Sequence, residues 1–233
     1  MSNLVNPYWF TSPPANPWLV DMIAWWSLDE AANVTRVDSH TNGYDLVDLY
    51  SFTGSAAAVV NNGTDTAGNT SAELSIPPAS APLLNPVDTD FTIAGWVKFD
   101  ALTDGTFVLG RIDDPTAGYM LGFNVGGGVL AWQVKGTQAT FAASTATWYQ
   151  FVAYHDSVAN EIGLIIDDGT PTTTAHTTGI DTQLVPAFLH FKLCNLYNSP
   201  GSFDGQLDEV GVWGRLLTSA EITALAAGMG YPG

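Results

Sequence analysis

Cysteine is almost missing from this sequence. Cys194 is the only one in 233 residues, so no disulfide can close within the chain, and stability must come from packing, with or without a metal. Leu193 and Leu196 lie beside it and predict a buried, inert thiol. Bases are nearly as scarce: 6 Lys and Arg stand against 23 Asp and Glu, a formal charge of −17. A surface of that sign repels nucleic acid and anionic membranes, which excludes nucleic-acid binding. No run approaches the roughly 18 apolar residues that cross a bilayer as a helix, so membrane insertion is not expected. The first residues, Met1 to Pro7, hold neither a basic n-region nor an apolar h-region. Synthesis in a cytosol without a cleaved signal is therefore the expectation. Catalytic motifs are missing too. His40, His155, His176 and His190 are scattered with no H-x-x-x-H pair or C-x-x-C partner for zinc. There is no G-x-S-x-G elbow and no phosphate-cradling glycine loop.

What is present is aromatic and aspartate-rich. With 8 Trp, 8 Tyr and 11 Phe, and 46% hydrophobic content, the chain can bury a full core as one domain. Of the acids 18 are Asp and 5 Glu, which suits turns, hard-cation ligation or an acidic surface adapted to saline water. Residues 1–21 combine Pro7, Pro13, Pro14 and Pro17 with Tyr8, Trp9, Phe10 and Trp18, and prolines at that density predict an extended arm. That arm either packs on its own domain or docks on a neighbouring subunit or larger assembly.

Residues 22–233 read as a single β-sandwich. Trp25 and Trp26 fall on opposite sides of a first strand. Residues 91–99 alternate with period two, placing Phe91, Ile93, Gly95, Val97 and Phe99 on one face and Trp96 on the other. Further strands follow at 106–111, 119–125, 129–134, 148–155, 162–166 and 188–193. Turns are expected at Asn62-Gly63, near Gly68-Asn69, at Gly126 to Gly128 and at Asp168-Gly169. Residues 203–222 organise the rest: a buried strand ends at Gly214 and hands over to a short helix. Thr218 with Glu221 three residues later is a capping box, Ile222 and Leu225 give one apolar face, and Gly228 supplies the left-handed stop.

Gly205, Asp208, Glu209, Val210, Trp213, Arg215, Leu217, Thr218, Glu221 and Ile222 fall on the pattern G-x-x-D-E-V-x-x-(W/Y)-x-R-x-L-(S/T)-x-x-E-I. This resembles the closing signature of the laminin G-like branch of the concanavalin A-like lectin/glucanase families. Leu28-Asp29-Glu30, the loop from Asp38 to Leu46, and the order 148–156 then 162–169 resemble the same modules. The resemblance covers about 22–228 and implies an all-β antiparallel sandwich, a concanavalin A-like jelly roll, with one short C-terminal helix. It also implies a calcium near the sandwich rim, for which Asp38, Asn42 and Asp208 are the candidate ligands. Asx-turns at Asp38 and Asn42, and hydrogen bonds to Asp208 from backbone or from Arg215, are the alternative. Tyr119, Trp132, Tyr197 and Trp96 are the candidate sugar-stacking aromatics.

The related glucanases carry an E-x-D-x-x-E strand, which is absent here. Asp208 and Glu209, adjacent in a strand, are expected to point to opposite faces and so cannot flank one glycosidic bond. The reading is a non-catalytic structural or binding protein. The resemblance, the absent signal and the arm of Tyr8, Trp9, Phe10 and Trp18 imply a bacteriophage virion surface protein, a capsid decoration or tail component. Its expected partners are other virion proteins or copies of itself, and host glycans. A calcium-dependent, extracellular carbohydrate-binding lectin is the alternative, and a glycoside hydrolase the second alternative.

Overall fold

The structure is a computed structural model, and it describes residues 16–50, 53–69, 71–86, 88–114, 117–123, 128–177, 190–195, 203–228 and 230. Two antiparallel sheets face one another. The strands are, in chain order, β1 (Met22–Trp26), β2 (Val47–Asp48), β3 (Gly54–Ala57), β4 (Asn62–Asp65), β5 (Leu74–Ile76), β6 (Phe91–Phe99), β7 (Thr106–Asp114) and β8 (Ala117–Phe123). They continue with β9 (Val129–Val134), β10 (Thr137–Ala142), β11 (Trp148–Asp156), β12 (Glu161–Ile166), β13 (Thr172–Ala175), β14 (Phe191–Leu193) and β15 (Gly205–Trp213), followed by helix α1 (Ser219–Ala226). One sheet has eight strands in the order β13-β12-β11-β6-β15-β4-β3, with β1 also on β15. The other has seven, β10-β9-β8-β7-β14-β5-β2.

Period-two alternation decides what lies between them. Phe91, Ile93, Val97 and Phe99 of β6 enter the inter-sheet core, while Ala94 faces outward into a second apolar cluster. Trp26 points inward and stacks on Phe191 with ring centroids 5.4 Å apart, whereas Trp25 points outward and meets Trp213 edge-on at 5.9 Å. Burying each such ring is worth about 1.5–3 kcal/mol.

The outer cluster is closed by α1, whose start matches its sequence. Thr218 Oγ1 accepts the Glu221 N–H, and a Glu221 carboxylate oxygen accepts the Thr218 N–H at 2.7 Å. Ile222 and Leu225 then bury against Trp25 and Trp213. Gly228 has φ +80°, the left-handed conformation expected of it. Arg215 joins the helix to the segment before β1. It donates to both Glu221 oxygens at 2.6 and 2.9 Å and to the carbonyls of Pro17 and Val20.

The described part of that segment takes the first of the two courses expected of the arm. Pro17–Leu19 form a single 3-10 turn, and Trp18 is buried in the outer cluster with its carbonyl accepting the Trp213 indole N–H. Residues 17–20 are thus fastened to their own domain, with Trp18 buried there. Tyr8, Trp9 and Phe10 lie outside the described residues. Two turns also sit earlier than expected. Asn62 and Gly63 belong to β4, and Ala58 to Asn61 make that turn. Asp167 and Asp168, both at positive φ, make the turn closed by the Gly169 N–H on the Ile166 carbonyl. The turn near Gly68 forms as expected, with the Asn69 N–H on the Thr66 carbonyl. Cys194 is buried, and burial pushes its thiol well above the usual range, which keeps it inert.

Candidate functional site

The signature acids Asp208 and Glu209 sit where β15 changes partners. On the edge away from β6, its first residues pair with β4 (Gln206 with Asp65, Leu207 with Thr64). Its later ones pair with β1 (Val210 with Trp26, Gly211 with Trp25). The strand must bend at this fork, and it does so through a bulge: the register with β6 shifts between Asp208 and Gly211, and Glu209 takes φ +49°. Leu207 and Val210 both face the inter-sheet core, so the two residues between them share the opposite side.

The expectation that Asp208 and Glu209 point to opposite faces is therefore wrong, because the extra residue breaks the alternation. Both are buried, at 0% and 3% exposure. Asp208 Oδ2 accepts the Val60 N–H at 2.8 Å, which holds the turn before β4, and Glu209 Oε2 accepts the Trp25 indole N–H at 2.6 Å, which holds β1. Burial pushes Asp208 up to about 7, against the backbone N–H groups that favour its charge. Burial, with the charges of Asp208 and Asp29 added, pushes Glu209 up to about 8. The pair ties the fork together and is enclosed there.

Each of the calcium candidates holds backbone in this structure. Both Asp38 oxygens are taken by backbone: Oδ1 by the N–H groups of Trp25 and His40, Oδ2 by that of Tyr44. The Asn42 side-chain amide donates to the Ile23 carbonyl. These bonds clasp the 38–45 loop against β1, while Asp208 serves the fork. Among the described residues no group of three His, Cys, Asp or Glu could hold a metal.

Two sugar-stacking candidates are core residues. Tyr119 and Trp132 are 0% exposed and 5.8 Å apart between the sheets, with their polar atoms on the carbonyls of Leu84 and Tyr154. Alternation on β8 and β9 directs them inward, so neither ring face can meet a ligand. Trp96 is partly exposed on the outer side of β6, and Tyr197 lies outside the described residues.

A pocket of about 200 Å³ does open on the outer face of the eight-stranded sheet, between β11, β12 and α1. Val152, Ile165 and Ile222 are among its apolar residues, and Tyr154, Asp156 and Glu161 bring polar groups. Tyr154 stands opposite Gly163 in the β11–β12 pair, and a methyl group at that glycine would overlap its ring. The missing Cβ is thus what lets the phenol lie across β12. Its hydroxyl donates to Glu161 Oε1 at 3.3 Å, and burial with the nearby Glu161 charge pushes it up to about 12, so it remains a hydrogen-bond donor at neutral pH. Half-buried Asp156 and Glu161 offer acceptors for hydroxyl groups. The sequence carried a trace of this site in the spacing Trp148, Gln150, Val152, Tyr154, Asp156, one face of a strand that turns polar at its end. What it could not show was the helix packed alongside.

Two sheets facing one another in this order, closed by the capped helix, define a lectin-like jelly roll. A family model described as the Concanavalin A-like lectin/glucanases superfamily matches residues 67–223, and the chain belongs to that superfamily. No curated protein matches the chain. Among solved structures it is similar to domain 4 of AbnA, an extracellular arabinanase from Geobacillus stearothermophilus, in complex with arabinotriose. Identity is 17%, the TM-score 0.65, and the match covers 88% of this chain and 98% of that one. It is similar to Trypanosoma rangeli sialidase at 17% identity and TM-score 0.63, covering 89% of this chain but 33% of the sialidase. The binding domain of Paraclostridial Mosquitocidal Protein 1 matches at 14% identity and TM-score 0.64, covering 89% and 52%. At these identities the likeness is one of fold. The fold is shared by glycosidases and binding domains, and it does not decide between them.

Proposed function

We propose that the chain is a non-catalytic, carbohydrate-binding protein whose sugar site is the pocket around Tyr154. The observation that carries this is the combination of a half-exposed phenol, two half-buried carboxylates and an apolar floor in one cavity. An aromatic face packs on the C–H side of a sugar while carboxylates accept its hydroxyls. The competing assignment, glycoside hydrolysis at Asp208 and Glu209, needs two carboxyl groups reaching into a cleft, and those two are enclosed at the strand fork. The neighbours named for arabinotriose and as a toxin binding domain support a binding role for the fold.

Glycan-array screening of the wild type, followed by calorimetry with the best neutral oligosaccharide, tests this. Tyr154→Ala is expected to weaken binding roughly 5- to 30-fold, the loss of one stacked contact of about 1–2 kcal/mol. Glu161→Gln should weaken it less, and a chelator should leave it unchanged. Equal affinity in wild type and Tyr154→Ala, or no glycan bound at all, overturns the assignment.

A second reading places this sandwich on the surface of a bacteriophage particle, with export to the cell exterior as its alternative. It is favoured by the way residues 16–20 are fastened to the body through Arg215 and Trp213, so that an anchor formed by Tyr8, Trp9 and Phe10 would be held firmly to the sandwich. Co-banding of the protein with particles in a density gradient, lost on deletion of residues 1–15, is the expected result. Full-length protein that never co-bands removes this reading.

A further inference from the structure

Two arginines of this chain are buried, and they are treated in opposite ways. Arg36, 0% exposed, donates to the hydroxyls of Thr53 and Thr64 and to the carbonyls of Ala31, Val34 and Gly54. Arg111, on β7, is 4% exposed, and neither its Nε nor its Nη1 has a hydrogen-bond partner. Three of its five N–H donors are thus enclosed without an acceptor. In a chain of 6 bases and 23 acids this is anomalous. The other bases all have partners: Arg215 holds Glu221, Lys192 holds Glu73 at 3.0 Å, Lys98 lies near Asp100, and Lys135 is engaged as well.

Leaving a guanidinium unpaired in the interior is among the most destabilising arrangements a protein can hold, because the group does not shed its proton. Burial lowers the proton affinity of Arg111 without supplying a counter-charge. Its strand partner Tyr119 cannot serve as one, since burial keeps that phenol protonated and its hydroxyl is used on Leu84.

The surroundings define what is missing. Lys192 pairs in register with Gly110, the residue before Arg111, and is neutralised by Glu73. His190, just before β14, has its Nδ1 buried and also without a partner. Burial, together with the Lys192 and Arg111 charges, lowers its proton affinity and leaves the ring neutral at pH 7. The surplus is therefore one positive charge with several buried N–H donors. A monovalent, planar oxyanion with two oxygens matches that surplus, whereas a dianion would overcompensate it.

We propose that Arg111, through its unpartnered Nε and Nη1, binds the carboxylate of a small organic acid or of an acidic sugar. This site is separate from the Tyr154 pocket and does not depend on it. The two carboxylate sources share one chemistry and are told apart by size and hydroxyls.

The test is thermal unfolding and calorimetry of the full chain with acetate, glucuronate, glucose and inorganic phosphate, each as its sodium salt where charged and at matched ionic strength. Acetate and glucuronate are expected to raise the Tm in a saturable, dose-dependent way. Glucuronate binding alone would assign a sugar acid, and comparable binding of both a small acid. Arg111→Gln should abolish the effect, and Arg111→Lys should weaken it at least about tenfold, because an ammonium lacks the planar fork. Glucose binding at Tyr154, where it occurs, should survive Arg111→Gln. Phosphate binding as tightly as carboxylate overturns the assignment. So does a wild type that responds to no anion. Should Arg111→Gln not fold, the wild-type titrations and Arg111→Lys decide the matter alone.

Discussion

The core between the two sheets and the outer face of the eight-stranded sheet use the same kinds of aromatic residue to opposite ends. Between the sheets, Trp26, Tyr119 and Trp132 sit among apolar neighbours, and each polar atom finds one backbone carbonyl. On the outer face, Trp25 and Trp213 share their layer with two buried carboxylates, and Asp208 Oδ1 has no partner among the described residues. The inner face is a packing problem solved by alternation. The outer face must also join three strands and a helix to β15, and it uses charge-bearing groups to do so. Stability should therefore depend on shape inside and on protonation state outside.

The largest effect is expected from breaking the inner layer. Trp26→Ala removes a fully buried indole stacked on Phe191 and its bond to the Tyr44 carbonyl. A loss of about 3–5 kcal/mol is expected, read as a shift of the urea midpoint with little change in slope. The loss should be independent of pH. If it instead changed between pH 5 and 9, the two faces would not be separable as argued.

Protonation sharpens the contrast from the other side. Asp208 and Glu209 are raised in the folded state, so their contribution is fully present below the ordinary carboxylate range. It is lost as pH rises through about 7 and 8. Glu221 works in the other direction: burial pushes it up, but its bonds from Arg215 and Thr218 outweigh that and hold it low, so its contribution is lost only on acidification below the carboxylate range. Between about pH 5 and 9 the fork pair alone among these should titrate, with folding stability falling on the order of 2–4 kcal/mol. The double variant Asp208→Asn, Glu209→Gln keeps acceptors for Val60 and Trp25 but cannot ionise. Its stability should be flatter across that window and exceed the wild type at pH 9. Parallel curves for the two proteins would mean that the buried pair does not carry this dependence.

The same contrast explains what was legible in the sequence. Trp25 and Trp26 could be assigned to opposite sides, and Phe91 to Phe99 to the core, because an unbroken strand obeys period two. The capping box at Thr218 and Glu221 was readable because it is local. Asp208 and Glu209 were misassigned because their placement depends on β15 exchanging β4 for β1, an event between residues far apart in the chain. Tyr119 and Trp132 were taken for surface residues because both faces of a sandwich strand can carry aromatics, and only the packed second sheet tells which is covered. Arg111 gave no signal at all, since an isolated base in an acidic chain reads as a surface charge.

The smallest expected effect tests whether the outer face holds together as one unit. Thr218 is exposed, and its hydroxyl satisfies one N–H of the first turn of α1. Thr218→Ala should cost about 1 kcal/mol, and Thr218→Ser almost nothing, since serine keeps the oxygen. Glu221 would still hold the Thr218 backbone N–H and Arg215, so the helix should loosen at its start without leaving the sheet. Because Ile222 lies in the first turns of that helix and also lines the Tyr154 pocket, hydrogen exchange should speed up at the amides of residues 221–223. Glycan affinity should fall slightly with it, while the inner strands β8 and β9 keep their protection. Faster exchange in β8 and β9 as well would show that the two faces unfold together, and that the division drawn between them is one of chemistry but not of cooperativity.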